Sequence, residues 1–322
     1  MSRRFVFLPP SSERTLWYAD GVRQSGVDLE IVVCGDRAKA VQALATAAGA
    51  YGTMDAELLT AAPQLEWLAC PAAGPHPSFY FPELIASDVT VTNMRGVYSD
   101  HISVHIMSYI LAFARSLHVY VPQQLRGEWR SEGEGGPAIH LPETTALIIG
   151  VGGIGAATAV HCAHFGMRVV GIDPRVIEAP DGVAELHHPD ALDEHLGQAD
   201  FVIMTAPQTP STQGLVDSGF FARMKGTAIF INIGRGANVL LNDLDRALRD
   251  GRIAGAALDV FETEPLPAEH PLWQAPNFLM TPHVAAAGPS VNERRIELLA
   301  ENCRRFAAGD QLLNAVDKEN WY

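Results

Sequence analysis

The sequence predicts an α/β protein built on doubly wound parallel sheets. Short apolar runs alternate with segments of helical periodicity along most of the 322 residues, and this alternation indicates βαβ units. Several runs in the second half are apolar throughout, as expected for strands buried on both faces. The chain is also long enough for two domains.

The first third contains four strand candidates separated by helical segments such as 37–50. The candidates are 5–8, 29–34, 67–70 and 89–92. A long apolar helix is expected over about 99–118. The glycine-rich segment E-G-E-G-G-P at 132–137 then predicts a break, and we place a domain junction near it.

The second part of the chain is more regular. Its six strand candidates are 146–149, 168–172, 201–205, 228–233, 256–260 and 278–281. Segments of helical period lie between them, for example 242–250, and a further helix is expected over 291–306. Six such strands match a doubly wound nucleotide-binding sheet.

Composition excludes several classes of function. The chain has 37 acidic and 23 basic residues and a net charge of −14, which argues against nucleic-acid or anionic-membrane binding. The sequence offers neither a membrane span nor a secretory signal. Its cysteines lack a C-x-x-C pair, which predicts buried thiols in a reducing, cytoplasmic compartment, with a reactive Cys70 as the alternative. The cysteines are Cys34, Cys70, Cys162 and Cys303.

The segment I-G-V-G-G-I-G at 149–155 follows an apolar run and precedes an alanine-rich one. Gly150 allows a tight turn, Gly152 allows close approach of a pyrophosphate, and Gly155 allows the following helix to pack on the strand. The N-terminus of that helix favours phosphate. This arrangement predicts a dinucleotide site, and the alternative is a flavodoxin-like domain without a ligand.

An acidic residue lies where the ribose hydroxyls of such a cofactor would bind. Asp173 ends the strand V-V-G-I-D, and its carboxylate would repel a 2′-phosphate. NAD(H) is therefore the preferred cofactor. Arg175, two residues later, could hold that phosphate, so NADP(H) is the alternative.

Three polar residues follow predicted strands of the second sheet. Arg235 could bind a substrate carboxylate through two hydrogen bonds. His283 could move a hydroxyl proton, and Glu264 could orient its imidazole, with Glu262 as the competing carboxylate. Since the carboxyl ends of parallel strands meet at one sheet edge, these residues predict a hydride-transfer site.

These segments resemble the D-isomer-specific 2-hydroxyacid dehydrogenase family, which includes phosphoglycerate dehydrogenases, glyoxylate/hydroxypyruvate reductases and D-lactate dehydrogenases. The resemblance runs from about residue 65 to 288. The matching motifs are G-V-G-G-I-G (150–155), T-A-P-Q-T-P-S-T (205–212), I-N-I-G-R-G (231–236), A-L-D-V-F-E-T-E-P-L-P (257–267) and P-N-F-L-M-T-P-H (276–283).

The resemblance implies a role for each matching position. The catalytic positions are Arg235, Glu264 and His283. Asp259 falls where the family contacts the nicotinamide carboxamide. Further cofactor positions are Gly153 and Ile154 in the phosphate-contacting turn, with Pro207 and Ile233 along the cofactor.

The resemblance also implies a substrate loop whose backbone binds the carboxylate. It contains Ala73 and Gly74, and the segment N-M-R-G at 93–96, with Arg95, resembles another family segment that faces the cleft. The family's A-G-V-D is A-G-P-H here, and Pro75 removes one backbone donor. A second departure lies in a helix motif: the family usually has V-A-E-H, and this chain has I-S-V-H at 102–105.

The implied architecture is two Rossmann-like/flavodoxin-like domains with the active-site cleft between them. One domain would comprise 1–100 plus 290–322 and hold substrate; the other, 101–289, would hold the cofactor. The resemblance also implies a homodimer and an R-form (D) substrate. The aromatic loop P-H-P-S-F-Y-F-P at 75–82 has no Lys or Arg, which favours glyoxylate, hydroxypyruvate or an apolar 2-oxo acid over a phosphorylated substrate.

Several alternatives stay open. Related enzymes are phosphoglycerate dehydrogenase and the formate and phosphite dehydrogenases; formate dehydrogenases pair the histidine with glutamine. An NAD(H)-sensing corepressor-like binding protein could keep the same three residues. No metal site is predicted: His101 and His105 lack an H-E-x-x-H glutamate, and His187 and His188 are interpreted as surface or packing residues.

Overall fold

The computed structural model describes residues 2–131, 138–175 and 178–321. The predicted break at 132–137 lies outside these residues. The domain junction predicted near it is wrong, because one compact unit runs continuously from Tyr98 to Ala287. The strands are β1 (Arg3–Phe7), β2 (Leu29–Val33), β3 (Ala47–Tyr51), β4 (Trp67–Ala69), β5 (Thr90–Thr92), β6 (Thr145–Ile149), β7 (Arg168–Ile172), β8 (Glu185–His187), β9 (Phe201–Met204), β10 (Ile229–Asn232), β11 (Gly255–Leu258) and β12 (Phe278–Met280).

Helices connect most of these strands, and several begin at an Asp or Ser cap. The α-helices are α1 (Glu13–Gln24), α2 (Arg37–Leu44), α3 (Ala56–Thr60), α4 (Pro82–Ala86), α5 (Ser99–Ala114), α6 (Leu117–Leu125), α7 (Gly153–His164), α8 (Leu192–Leu196), α9 (Ser218–Arg223), α10 (Leu241–Arg249) and α11 (Val291–Ala308). Short 3₁₀ turns lie at Pro77–Phe79, Leu141–Glu143, Pro189–Ala191, Gly236–Asn238 and Pro271–Gln274.

The chain forms two compact units. Unit 1 comprises Met1–Val97 and Gly288–Tyr322, and unit 2 comprises Tyr98–Ala287. Each unit contains one parallel sheet in the described residues. The predicted α/β class with two doubly wound parallel sheets is confirmed.

The sheet of unit 1 has the strand order β2-β1-β3-β4-β5, the order of flavodoxin-like folds. Helix α11, from the end of the chain, packs on α1 from its beginning. Tyr18 donates a hydrogen bond to Asn292 at 2.5 Å, and a side chain at Gly21 would collide with Ile296. The fold of unit 1 therefore requires both the first and the last part of the chain.

The sheet of unit 2 has the strand order β12-β11-β10-β9-β6-β7-β8. Reading outward from β6, the chain runs through β7 and β8 on one side and β9 to β12 on the other. The order matches that of a dinucleotide-binding sheet with one added edge strand, and its switch point lies between β6 and β9. Every residue of β9 and β10 is buried, as expected for strands covered on both faces.

Two predicted helices were too long, and two strands, β3 and β8, were missed. The predicted helix 37–50 ends at Leu44, because Ala47–Tyr51 forms β3, where Gly49 packs against Phe5. The predicted helix 99–118 ends at Ala114, because Ser116 adopts a left-handed φ of 58°. Strand β8 was not predicted.

The four cysteines are buried thiols, as predicted. Burial raises the pKa of Cys162 to about 12 and that of Cys34 above its ordinary value. Cys70 is also fully buried, which disfavours the reactive alternative. No single helix of the described residues is long and apolar enough to span a membrane; α5 and α6 together reach that length and composition, but they are bent by 74°.

Candidate active site

The glycine turn after β6 excludes side chains at Gly150 and Gly155. Gly150 has a φ of +95°, and a Cβ there would lie 2.6 Å from the backbone nitrogen of Ala206. A Cβ at Gly155 would lie 2.1 Å from the carbonyl oxygen of Gly150. Gly152 caps α7 and is followed by Gly153 and Ile154, the first residues of that helix. The turn therefore presents bare backbone at the N-terminus of α7, as a pyrophosphate site requires.

Asp173 lies beside this turn at the end of β7 and is buried. Its carboxylate accepts hydrogen bonds from the backbone of Val151, at 2.9 Å, and from the backbone and guanidinium of Arg175. Burial alone would raise the pKa of Asp173, but these hydrogen bonds outweigh it and hold the pKa below its usual value. The acid is thus ionised, and Arg175 partly neutralises it.

Arg235 follows β10, in a loop that contacts the loop after β11. Arg235 donates to the carbonyl of Gly234 at 2.6 Å, and its own carbonyl accepts from Asn232 at 3.0 Å. A Cβ at Gly236 would overlap the backbone of Phe261. Since only glycine allows this approach, the loop that carries Arg235 is held against the loop that carries Glu264.

Glu264 and His283 form a hydrogen-bonded pair. The Nδ1 atom of His283 lies 2.7 Å from one oxygen of Glu264, and the other oxygen accepts from the backbone of Phe261 at 2.9 Å. Glu264 rather than Glu262 therefore holds the imidazole. Because Nδ1 faces a carboxylate, Nε2 is the nitrogen that can exchange a proton with a substrate. The side chain of His283 is 50% exposed.

Asp259 fixes the loop that carries His283. Its carboxylate is 1% exposed and accepts hydrogen bonds from Val284 and Ala285, each at 2.9 Å, and from the Thr281 hydroxyl. Its carbonyl accepts from the backbone of His283 at 2.8 Å. These bonds hold His283 at a φ of +53°, in the left-handed region that few non-glycine residues adopt. The predicted nicotinamide contact by Asp259 stays a prediction.

Two residues of α5 extend this network, and sequence reasoning missed their role. His105 lies 3.0 Å from the Thr281 hydroxyl through Nε2, and the Tyr109 hydroxyl lies 2.5 Å from the same oxygen. Burial lowers the pKa of His105, although the Asp259 carboxylate opposes the shift. The neutral imidazole is thus favoured. The available signal was His105 itself, the one residue of I-S-V-H at 102–105 that agrees with the family's V-A-E-H.

The remaining predicted cofactor residues lie at the ends of β9 and β10. Pro207 follows β9, and its carbonyl accepts from the Thr212 hydroxyl at 2.7 Å. Ile233 follows β10, is buried, and donates its backbone N–H to Met204 at 3.0 Å. Both residues share the carboxyl edge with the glycine turn.

The predicted substrate residues all lie in unit 1. The carbonyl of Ala73 accepts from the side chain of Asn93 at 2.9 Å, and the backbone of Arg95 donates to the same side chain at 3.0 Å. The structure thus brings the Ala73–Gly74 loop and Arg95 together through a buried Asn93, the first residue of the N-M-R-G segment. Their part in substrate binding stays a prediction.

The interpretation of loop 75–82 as an aromatic substrate surface is wrong in one respect. Phe79 and Tyr80 are each 4% exposed and belong to the core of unit 1, and Tyr80 stacks on Trp321. The exposed positions of the loop include His76 and Ser78. Its aromatic character therefore reflects packing and gives no support to an apolar substrate.

The NAD-binding domain model of the D-isomer specific 2-hydroxyacid dehydrogenases matches residues 107–285, more than half of the chain. The chain belongs to this family. The predicted class, an NAD(P)-dependent 2-hydroxyacid dehydrogenase, is therefore confirmed at the level of the family.

Relatives of this dehydrogenase include a glyoxylate reductase from Korarchaeum cryptofilum, which is 35% identical over 274 residues, 83% of this chain and 80% of the relative. Among solved structures, a family member from Xanthobacter autotrophicus Py2 with NADPH and MES has a TM-score of 0.86 at 28% identity, covering 100% of both chains. An NADPH-dependent glyoxylate/hydroxypyruvate reductase from Sinorhizobium meliloti, with NADP and sulfate, has a TM-score of 0.82 at 27% identity, covering 99% of this chain and 100% of the other.

Proposed function

We propose that this dehydrogenase reduces small polar 2-oxo acids, glyoxylate and hydroxypyruvate, to the D-2-hydroxy acids. The observation that carries the proposal is the Glu264–His283 pair, 2.7 Å apart. It lies at the carboxyl edge of the sheet that also carries Arg235 and the glycine turn. The similarity to enzymes named glyoxylate reductase and glyoxylate/hydroxypyruvate reductase supports the choice of substrate.

The three residues divide the chemistry. The guanidinium of Arg235 binds the substrate carboxylate through two parallel, charge-assisted hydrogen bonds. Glu264 accepts the Nδ1 proton of His283, so His283 donates from Nε2 to the 2-oxo oxygen during reduction and takes that proton back during oxidation. When bound, the dinucleotide supplies or accepts the hydride at C2 of the substrate.

Two observations favour a small substrate without a phosphate. Loop 75–82 lacks Lys and Arg, whereas a second anionic group would need such partners. Its aromatic residues Phe79 and Tyr80 are buried in the core, so they offer no apolar wall for a larger 2-oxo acid.

Initial rates of NADH and NADPH oxidation test the proposal against glyoxylate, hydroxypyruvate, pyruvate, phenylpyruvate and 2-oxoglutarate, with 3-phosphoglycerate and formate assayed in the oxidative direction. We expect the highest kcat/KM for glyoxylate or hydroxypyruvate. A preference for 3-phosphoglycerate or formate would overturn the choice of substrate. Tight NADH binding without turnover would instead indicate a sensor of the corepressor type.

We also propose that NAD(H) is preferred and NADP(H) accepted. The ionised Asp173 favours ribose hydroxyls over a 2′-phosphate, while the guanidinium of Arg175 lies beside the glycine turn, 3.6 Å from the position of a Cβ on Gly152. The match to an NAD-binding domain model supports NAD(H), and the neighbouring structures that hold NADPH or NADP support the acceptance of NADP(H).

Substitution of each residue should move cofactor choice in opposite directions. We expect Asp173→Asn to lower kcat/KM for NADH about tenfold, roughly 1.4 kcal/mol, because a charged acceptor is lost. We expect Arg175→Ala to reduce kcat/KM for NADPH by a similar factor and to affect NADH less. The measurement is the NADH/NADPH ratio of kcat/KM, and an unchanged ratio in both variants would contradict this assignment.

A homodimer is proposed from an apolar stripe on unit 2. Leu117, Val121 and Leu125 are exposed and lie at i, i+4 and i+8 of α6, so they share one face. Leu125 is 83% exposed and Trp129, beyond the helix, is fully exposed. A second copy of this chain is the occupant that the family resemblance implies, because large exposed apolar patches mark association surfaces.

Light scattering after size exclusion tests the dimer. We expect the parent protein to elute at twice the mass of one chain and Leu125→Glu to shift it towards monomer. Leu16→Glu, at an exposed apolar position of unit 1, is the matched control and should stay dimeric. A monomeric parent protein would contradict the dimer. A Leu125→Glu variant that stays dimeric would show that this face is not the interface.

We further propose a reducing, cytoplasmic location. The four buried thiols support it, since proteins of oxidising compartments use their cysteines for disulfides.

A further inference from the structure

We propose that Glu185, His187 and His195 bind a divalent transition-metal ion, with Zn²⁺ the best match. Their ligand atoms all lie within 4.8 Å of one another. The cluster lies on and beside β8, at the opposite edge of the sheet from β12, which precedes His283. It is thus separate from the proposed catalytic pair and independent of the proposed function.

The local fold explains why the three side chains converge. Alternate residues of a strand point to the same face, so Glu185 and His187 project together while Leu186 contacts the opposite side near Gly171. Helix α8 supplies His195 on their face, with its ring centroid 4.3 Å from that of His187 and a 31° angle between the rings.

The separation of the two ligands on β8 suits a tetrahedral ion. The Glu185 carboxylate lies 3.2 Å from Nε2 of His187. Two ligands about 2.0–2.1 Å from a tetrahedral Zn²⁺ are separated by roughly 3.3–3.4 Å. An ion could therefore enter between these two groups with little movement of either.

A neighbouring cation orients the carboxylate without blocking it. Arg168 binds the other oxygen of Glu185, which leaves the oxygen near His187 directed into the cluster. Metal-binding carboxylates are commonly held in this way by an outer partner. Arg168 also lowers the local negative charge, so the affinity depends chiefly on the two imidazoles.

The donor set decides the class of ion. Two imidazole nitrogens and one carboxylate oxygen suit Zn²⁺, Ni²⁺, Co²⁺ and Cu²⁺, whereas Mg²⁺ and Ca²⁺ prefer sites composed of oxygen. Three protein ligands leave one position for water. The structural consequence is a link between strand β8 and helix α8.

This link would also fix β8 against the end of the neighbouring strand β7, where Asp173 lies. His187 pairs with Ile172 across β7 and β8, and its carbonyl accepts a hydrogen bond from the backbone of Asp173 at 3.1 Å. Because an ion that binds only the folded state stabilises it by mass action, we expect Zn²⁺ to raise the Tm of the protein.

Isothermal titration of tag-free, chelator-treated full-length protein with Zn²⁺ tests the site. The background is His283→Ala, which removes the Glu264–His283 pair as a competing site. We expect binding of one ion per chain, and at least tenfold weaker binding after His187→Ala or His195→Gln. His188→Ala is the matched control, since this exposed neighbour pairs with Asp190 instead, and it should bind as the background does.

Two further measurements and one further variant complete the test. The Tm without metal shows whether each variant is folded, and Glu185→Gln keeps the shape of a ligand while removing its charge. The visible absorption of bound Co²⁺ reports coordination directly and should be lost in the His187 and His195 variants. Unchanged Zn²⁺ affinity in folded His187→Ala and His195→Gln, or equal binding of Mg²⁺, would overturn the proposal.

Discussion

Substitution of His283 with asparagine is expected to lower kcat by about 10²–10⁴-fold, the usual contribution of a positioned acid–base group. Asparagine tolerates the positive φ at this position, so the loop should keep its shape while the proton donor is lost. Steady-state kinetics with glyoxylate or hydroxypyruvate measures the effect. Glu264→Gln should cause a smaller loss, because it retains the hydrogen bond to Nδ1 but removes the charge.

A second His–Glu pair in unit 2 provides the control. His140 and Glu143 are both exposed and lie 3.3 Å apart. Their substitution with Asn and Gln should leave kcat unchanged. If His283→Asn retained more than a tenth of the parent kcat while folded, His283 would not be the proton donor.

Substitution of Arg235 with alanine should lower kcat/KM about 100- to 1,000-fold, roughly 3–4 kcal/mol, because two charge-assisted hydrogen bonds to the substrate carboxylate are lost. Arg235→Lys should recover part of the loss, since an ammonium group supplies charge without the planar fork. Added guanidinium should partly restore turnover of the alanine variant.

The matched control for Arg235 is Arg246→Ala, an exposed arginine of α10 that pairs with Asp243. It should retain the parent kcat/KM. A loss of less than tenfold in Arg235→Ala, about 1.4 kcal/mol, would contradict the carboxylate-binding role.

Sequence reasoning anticipated those parts of the site that are encoded locally. Gly150 and Gly155 leave a short-range signature, because backbone contacts at these positions exclude any side chain. The choice of Glu264 over Glu262 also followed from its motif, and the structure places Glu264 on His283. The contact of His105 with Thr281 joins residues 176 positions apart; no spacing in the sequence encodes such a pair.

The missed strands have a similar explanation. Strand β3 reads A-A-G-A-Y, in which small residues show neither helical nor strand periodicity; its packing against Phe5 and Phe306 decides its conformation. Strand β8 reads E-L-H and pairs with β7 at the sheet edge. Such a short segment with one apolar residue gives too weak a pattern to detect.

The packing of α11 on α1 has a consequence for the order of events during synthesis. Unit 2 is one continuous stretch of chain, whereas unit 1 needs residues that are translated after unit 2. Because domains fold as units while the chain emerges from the ribosome, we expect unit 2 to mature first. Strands β1 to β5 would be synthesised well before α11, the helix that packs on α1. Until then, Gly21 of α1 would lack its contact with the apolar side chain of Ile296. The early part of unit 1 is thus the segment most in need of protection by chaperones.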